Sequence, residues 1–252
     1  MKKLLCVGAI SAATIMPFSA SADTVLGLYA GAQGWDKGVE GGFSQNENIA
    51  EFGFEDNTTS RLYAALEHPV PFVPNIKIAR TVLDTTGGTL LQSTFTFGGE
   101  VYSQDTVLNT DIDLITNDYV LYYEVLDNDV VSFDIGLNAK HVDGEFFVID
   151  EDSNESSRES FEGFVPMLYS RFAVGLPGTG LGAYAEGSFL SVDDSSVVDY
   201  QVAMTYSFIE SLAVDVTLQL GYQSVTIDIE DIDDVYADME FDGPFLGIEV
   251  HF

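Results

Sequence analysis

The sequence predicts an all-β chain closed into an antiparallel, transmembrane up-and-down β-barrel of about ten strands. Three observations predict it. Apolar residues recur at every second position along most of the chain, the clearest of these runs are 11 residues long, and an export leader stands at the front. Alternation alone also fits a soluble sheet with one wet face. The run length discriminates: a tilted strand needs roughly 9–11 residues to cross a bilayer, whereas soluble strands usually stop at about five or six.

The leader comes first. Lys2 and Lys3 make a basic start, Leu4 to Met16 is apolar, and Ser19-Ala20-Ser21-Ala22 offers small residues for cleavage. This is the pattern of a signal peptide over residues 1–22, leaving 23–252 as a single barrel domain. The apolar run is too short for the roughly 20 residues of a spanning helix. Cys6, the one cysteine, falls inside it, so the remainder has no disulfide, thiol nucleophile or cysteine-based metal site.

The net charge is −32, from 41 acidic and 9 basic residues. Such charge repels nucleic acid and excludes it as a partner. It would suggest disorder, but a chain that is 46% hydrophobic and 12% aromatic has ample material for an ordered fold.

Strands are expected at 24–34, 59–68, 75–84, 112–126, 130–148, 161–175, 181–191, 197–209, 212–229 and 236–252, with eight or twelve as the alternative counts. The cleanest run sets Leu212, Val214, Val216, Leu218, Leu220 and Tyr222 against Ala213, Asp215, Thr217, Gln219 and Gly221. Val198 to Phe208 alternates in the same way. Connections after the even-numbered strands are short or proline-bounded: Pro69 to Pro74, Asp127-Asn128-Asp129, Leu176 to Gly180 and Glu210-Ser211. Those after the odd-numbered strands, 35–58, 85–111, 149–160, 192–196 and 230–235, are long or acidic. Short turns on one side and longer loops on the other are what outer-membrane barrels show.

Three places break the pattern. Phe95 to Tyr102 reads as an extra hairpin in a loop or as part of the fourth strand. Ile112 and Leu114 are out of phase with Tyr119, Leu121 and Tyr123, implying a bulge near Ile115 or a strand that starts outside the membrane. In the third strand Arg80 shares a face with Ile76, Ile78 and Val82.

The last twelve residues, FDGPFLGIEVHF, carry one apolar register (Leu246, Ile248, Val250, Phe252). They resemble the closing strand of a small Gram-negative outer-membrane β-barrel, whose assembly signal reads polar-x-Gly-x-x-apolar-x-aromatic. Gly247, Val250 and Phe252 match it; Phe245 departs at the polar position. The stretches LGLYAGAQGWDKGVEGGF (26–43), RLYAALEHPVPFVPNIK (61–77) and YVLYYEVLDN (119–128) are similar to a family of proteobacterial barrels from marine-type genera. The resemblance implies the outer membrane as location, and the barrel-assembly machinery and outer-membrane lipid, lipopolysaccharide included, as partners. It implies no catalytic residue, ligand residue or cofactor.

If the apolar registers face lipid, the opposite registers line the lumen. That places Arg61, Glu67, Glu124, Asp134, Lys140, Arg171, Glu186, Asp215 and Glu249 inside. A ten-stranded barrel is only slightly wider than eight-stranded barrels, whose interiors side chains fill. A plug of ion pairs with a structural or interaction role is therefore the expectation, and a narrow cation-preferring or small-solute channel is the alternative. An outer-membrane enzyme is the third class. Its histidines are His68 in a turn, His251 at a rim and His141 facing outward at an interface, and none sits in a triad pattern with serine and carboxylate. No metal site is predicted. Asp150-Glu151-Asp152-Ser153-Asn154-Glu155 has oxygens at three EF-hand positions but lacks the required Gly and Glu, at Glu155 and Phe161. Weak, multi-site divalent-cation binding at the acidic segments is the most it implies. Trp35 and Tyr29 are expected as interface anchors.

Overall fold

The computed structural model describes residues 26–128, 130–211, 213–232 and 235–252. The predicted leader and Leu212 lie outside the described residues. Ten strands form the barrel: β1 (Gly27–Ser44), β2 (Asn57–Glu67), β3 (Asn75–Val82), β4 (Val107–Asp127), β5 (Val131–Asp150), β6 (Ser156–Leu176), β7 (Leu181–Val192), β8 (Ser195–Ile209), β9 (Asp215–Ile232) and β10 (Val235–His251). Each pairs antiparallel with its neighbours in sequence. β10 closes on β1 from Tyr29↔His251 to Ser44↔Tyr236. Beyond that ladder, Phe252 N donates to Leu28 O at 2.9 Å and Leu28 N to Phe252 O at 3.2 Å. Closure removes the sheet edges at the lower end, while above Leu168 β6 pairs with β5 alone.

The end that holds Phe252 and the even-numbered connections is called lower here, and the other end upper. At the upper end the structure corrects the expected loops. Residues 35–44 continue β1, and Thr85–Leu90 continues the line of β3 along β4, from Thr85↔Ile112 to Leu90↔Val107. Gly53–Phe54 prolongs β2 by pairing with Gly87 and Gly88. β7 and β8 are joined through Asp193-Asp194 alone. Most of the predicted loop sequence is therefore barrel wall.

Side-chain parity runs unbroken through this wall while its polarity inverts. In the lower part of β4, Tyr119, Leu121 and Tyr123 face out; in its upper part Ile112 and Leu114 are buried inside. β5 does the same with Ile135 and Leu137 outside but Phe146 and Val148 inside, and β10 with Leu246 and Ile248 against Met239 and Phe241. No bulge occurs at Ile115, which pairs in register with Asp143. The shift in that ladder falls between Phe133 and Asp134, opposite Leu126 and Glu124. The strand instead begins above the apolar belt, where the polarity of its two faces is inverted.

Trp35 is corrected by the same inversion. It is fully buried inside the upper barrel, its indole Nε1 donating to Gly243 O at 3.2 Å. Tyr29 also points inward and stacks on His251, with centroids 4.1 Å apart. The segment 95–102 is a separate hairpin, Phe95–Phe97 with Glu100–Tyr102, turned by Gly98 (φ 59°) and Gly99 (φ 79°). Left-handed φ at both positions favours glycine over any residue with a Cβ. The hairpin folds into the upper mouth. There Phe43 packs 4.9 Å from Phe52, 5.1 Å from Phe97 and 4.8 Å from Phe146, and Tyr102 shares a 2.8 Å hydrogen bond with Ser157.

Candidate functional site

The lower interior is built from inward positions of β1 to β9, fixed by the period-two pleat. At its centre Arg61 lies 3.8 Å from Asp118, 3.8 Å from Glu186 and 4.0 Å from Asp199. Lys140 Nζ bridges Asp118 and Asp199 at 2.7 and 2.8 Å. Lys77 Nζ donates to both Glu186 oxygens at 2.6 Å. Arg171 spans Asp134 (3.9 Å) and Glu186 (3.7 Å). Four cations thus meet four carboxylates, so the lattice is balanced in charge. Burying ions costs several kcal/mol each unless partners surround them, and here each cation has one or more.

Amides complete the layer. Gln33 Nε2 donates to Gln219 Oε1 at 2.9 Å and to Gln201 Oε1 at 3.2 Å, while Asn138 Nδ2 donates to Asp118 (2.7 Å) and Ser188 (3.0 Å). The cavity among Arg61, Lys77, Asp118, Glu186 and Asp199 has about 10 Å³ of room, enough for roughly one water.

Of the residues the sequence placed in the lumen, Arg61, Asp134, Lys140, Arg171 and Glu186 come together in this lattice. Glu67, Glu124 and Glu249 lie lower. Glu67 accepts from Tyr122 OH at 2.8 Å, Glu249 from Tyr63 OH at 2.6 Å and Glu124 from Asn75 Nδ2 at 3.2 Å. Asp215 stands apart at the lower rim, 3.6 Å from His251 and accepting from Ser211 N. Sequence reasoning missed Lys77, Asp118 and Asp199. All three fall in inward registers, and Lys77 was obscured because the face of β3 was unresolved. Gly247, Val250 and Phe252 lie in and beside the β10–β1 seam, Gly247 opposite Gln33 and Val250 opposite Ala30.

Above the lattice sits the aromatic cluster of Trp35, Phe43, Phe95, Phe97, Phe146 and Phe241. Acids stud the outer wall around it, including Asp36 and Glu40 from the segment 35–58 expected as a loop. Glu40 is directly opposite Glu240, and Asp228 opposite Asp238. Desolvation first, then neighbouring Asp113 and Asp84, raise the pKa of Asp111 on this wall. Asp150 serves its own turn. Its carboxylate accepts from Ser153 Oγ at 2.7 Å and Asp152 N at 2.9 Å, which lowers its pKa. Among the described residues, no three His, Cys, Asp or Glu side chains converge closely enough to share a metal ion. His68 binds Pro74 O, His141 binds Glu162 and His251 faces Asp215.

No protein-family model matches the chain, and neither does any curated protein sequence. Solved structures with a similar arrangement include three barrels. The transport unit of the autotransporter AIDA-I from Escherichia coli is 9% identical over 93% of this chain and 92% of that one, with a TM-score of 0.39. Neisserial surface protein A is 13% identical over 89% and 97%, TM-score 0.32. A Pseudomonas aeruginosa FadL homologue is 10% identical over 90% of each, TM-score 0.36. The architecture is a closed ten-stranded antiparallel β-barrel whose lower outer face is an apolar belt. Among the described residues, no helix is long and apolar enough to cross a membrane.

Proposed function

We propose that the chain is an outer-membrane β-barrel of structural or interaction type, its lumen plugged, its upper end displayed outside the cell. Membership of the proteobacterial barrel family it resembles is part of this reading, as are export by the leader, insertion by the barrel-assembly machinery and lipopolysaccharide as neighbouring lipid. It has no enzymatic role. One observation carries the plug: two unlike seals are stacked in one bore, the ion-pair lattice around Arg61 below and the aromatic cluster around Phe43 above. The cavity in the lattice has room for roughly one water, so an ion entering it would have to shed its hydration shell.

A planar-bilayer recording on refolded protein tests it. Silent insertions, with heat-modifiable gel mobility showing a folded barrel, are the expected result. Reproducible cation-selective steps that vanish in Asp134→Asn with Asp215→Asn would establish the narrow channel instead.

A further inference from the structure

The basic residues beyond the leader are divided unevenly. Lys37, Arg61, Lys77 and Lys140 are buried inside the barrel, and Arg171 is drawn inward by Asp134 and Glu186. Only Arg80 and Arg158 face outward. Arg158 pairs with Glu145 and lies 4.8 Å over the Phe147 ring. Arg80 is exposed, and its one hydrogen bond is from Nη1 to Asn117 Oδ1 at 3.4 Å. No carboxylate among the described residues lies within ion-pair distance of it.

Its position is specific. Arg80 stands two residues above the exposed Ile78 on β3, at the upper limit of the apolar belt. Across the ladders it is flanked by Leu62 and Asn117, Asn117 pairs with His141, and His141 pairs with Phe164. Arg80, Asn117 and His141 are each the first polar outward residue above an apolar one: Ile78, Tyr119 and Ala139. The His141 ring packs 4.8 Å from Phe164, and Tyr119 lies 6.4 Å from the same ring. An outward arginine is strongly unfavourable at the bilayer midplane and tolerated near the interface, which explains why β3 can carry one in its lipid-facing register.

We propose that Arg80, with Asn117, binds the phosphate of an anionic lipid headgroup in the leaflet around the upper edge of the belt. The guanidinium fork matches phosphate oxygens bidentately. Accepting from Arg80 turns the Asn117 carbonyl toward it and leaves the amide NH₂ as a second donor. Tyr119 and Phe164 flank the site where headgroup meets acyl chain, the depth aromatic side chains favour. Glu162 is held by His141 at 3.0 Å; elsewhere Asp36 and Asp242 are the first polar outward residues above Gly34 and Pro244, and they repel such headgroups. One site per barrel follows, in place of a diffuse annulus. The proposal deepens the lipid part of the reading above and rests on it.

The test is native mass spectrometry of the purified, refolded full barrel with diphosphorylated lipid A. Wild type is expected to retain one lipid A, and Arg80→Gln to lower its retention about tenfold, as loss of one charge-assisted phosphate contact would. Arg158→Gln should retain lipid A as wild type does, and Asn117→Leu should lose part of the retention. Equal retention by wild type and Arg80→Gln, or equal retention of dephosphorylated lipid A, overturns the proposal. Full displacement by millimolar inorganic phosphate overturns it too, by showing a free-phosphate site. Arg80→Lys provides a folded comparison should Arg80→Gln fail to refold; its retention must fall between wild type and none. Absence of heat-modifiable mobility in wild type would instead defeat the membrane reading, independently of Arg80.

Discussion

The lower barrel is greasy outside and charged inside; the upper barrel is acidic outside and aromatic inside. Long strands such as β1, β4, β5 and β10 run through both with the same side-chain parity, and on the outer-membrane reading proposed above the difference comes from the solvent each part meets. On that reading lipid surrounds the lower wall, so polar residues have only the lumen to pair in, and Arg61, Lys77, Lys140 and Arg171 gather Asp118, Asp134, Glu186 and Asp199 there. Where water surrounds the wall, the hydrophobic effect fills the lumen with Phe43, Phe95, Phe97 and Phe146. The lower half is held by electrostatic closure and the upper half by ordinary core packing.

The largest expected effect breaks the lower half. Arg61→Leu removes the cation that faces Asp118, Glu186 and Asp199. Removing one partner from a buried ionic group costs about 3–5 kcal/mol, because the remaining charges stay desolvated. Urea midpoints of the refolded barrel would measure it. A loss below about 1 kcal/mol would mean that the lattice is hydrated and the seal open.

The next effect belongs to the upper half. Phe43 is fully buried against four other aromatic rings, and Phe43→Ala should cost about 3 kcal/mol. Its reach is the sharper test. Hydrogen exchange should quicken in upper β1 and in the 95–102 hairpin while lower β4 and β5 keep their protection. Equal loss at both ends would show that the two halves unfold as one unit.

That division also explains what the sequence could reveal. The ten strands, their pairing order and the inward registers of Arg61, Lys140 and Glu186 follow from period-two alternation. The upper wall was hidden because its alternation carries the opposite polarity. Ile112 and Leu114 imitate a register slip when one solvent is assumed throughout, and Trp35 imitates an interface anchor. Asp36 and Glu40 read as loop acids for the same reason, since acid-rich sequence resembles loop until inward partners such as Val39 are counted. The particular ion pairs were not legible at all. They join strands far apart in sequence, such as Lys77 with Glu186, and depend on how side chains meet across the bore.

A smaller effect lies where the hairpin docks. Tyr102→Phe removes the 2.8 Å hydrogen bond to Ser157 and keeps the ring, so the expected cost is about 1 kcal/mol. Limited proteolysis of the hairpin should accelerate with no change in the urea midpoint of the lower barrel. Unchanged cleavage would assign the docking to the aromatic contacts alone.

The smallest effect concerns the acidic wall and has the opposite sign. Like charges directly opposite on a ladder repel, by roughly 0.2–1 kcal/mol a pair, and Glu40 faces Glu240 while Asp228 faces Asp238. Glu240→Gln should therefore stabilise the upper barrel slightly, less so at high salt. Acidification should act in the same direction first. The raised pKa of Asp111 means that this one carboxylate binds its proton more readily in the folded wall than in the unfolded chain, so its contribution to stability rises as pH falls toward the carboxylate range. Asp150 runs the other way. Its lowered pKa gives a contribution that is present above its unfolded value and is lost as pH falls through the folded one. Upper-barrel exchange protection should accordingly pass through a maximum on the acid side of neutrality, with the 150–155 turn loosening at lower pH. A steady fall in protection from neutral pH downward would show that holding Asp111 beside Asp113 and Asp84 does not destabilise the folded wall.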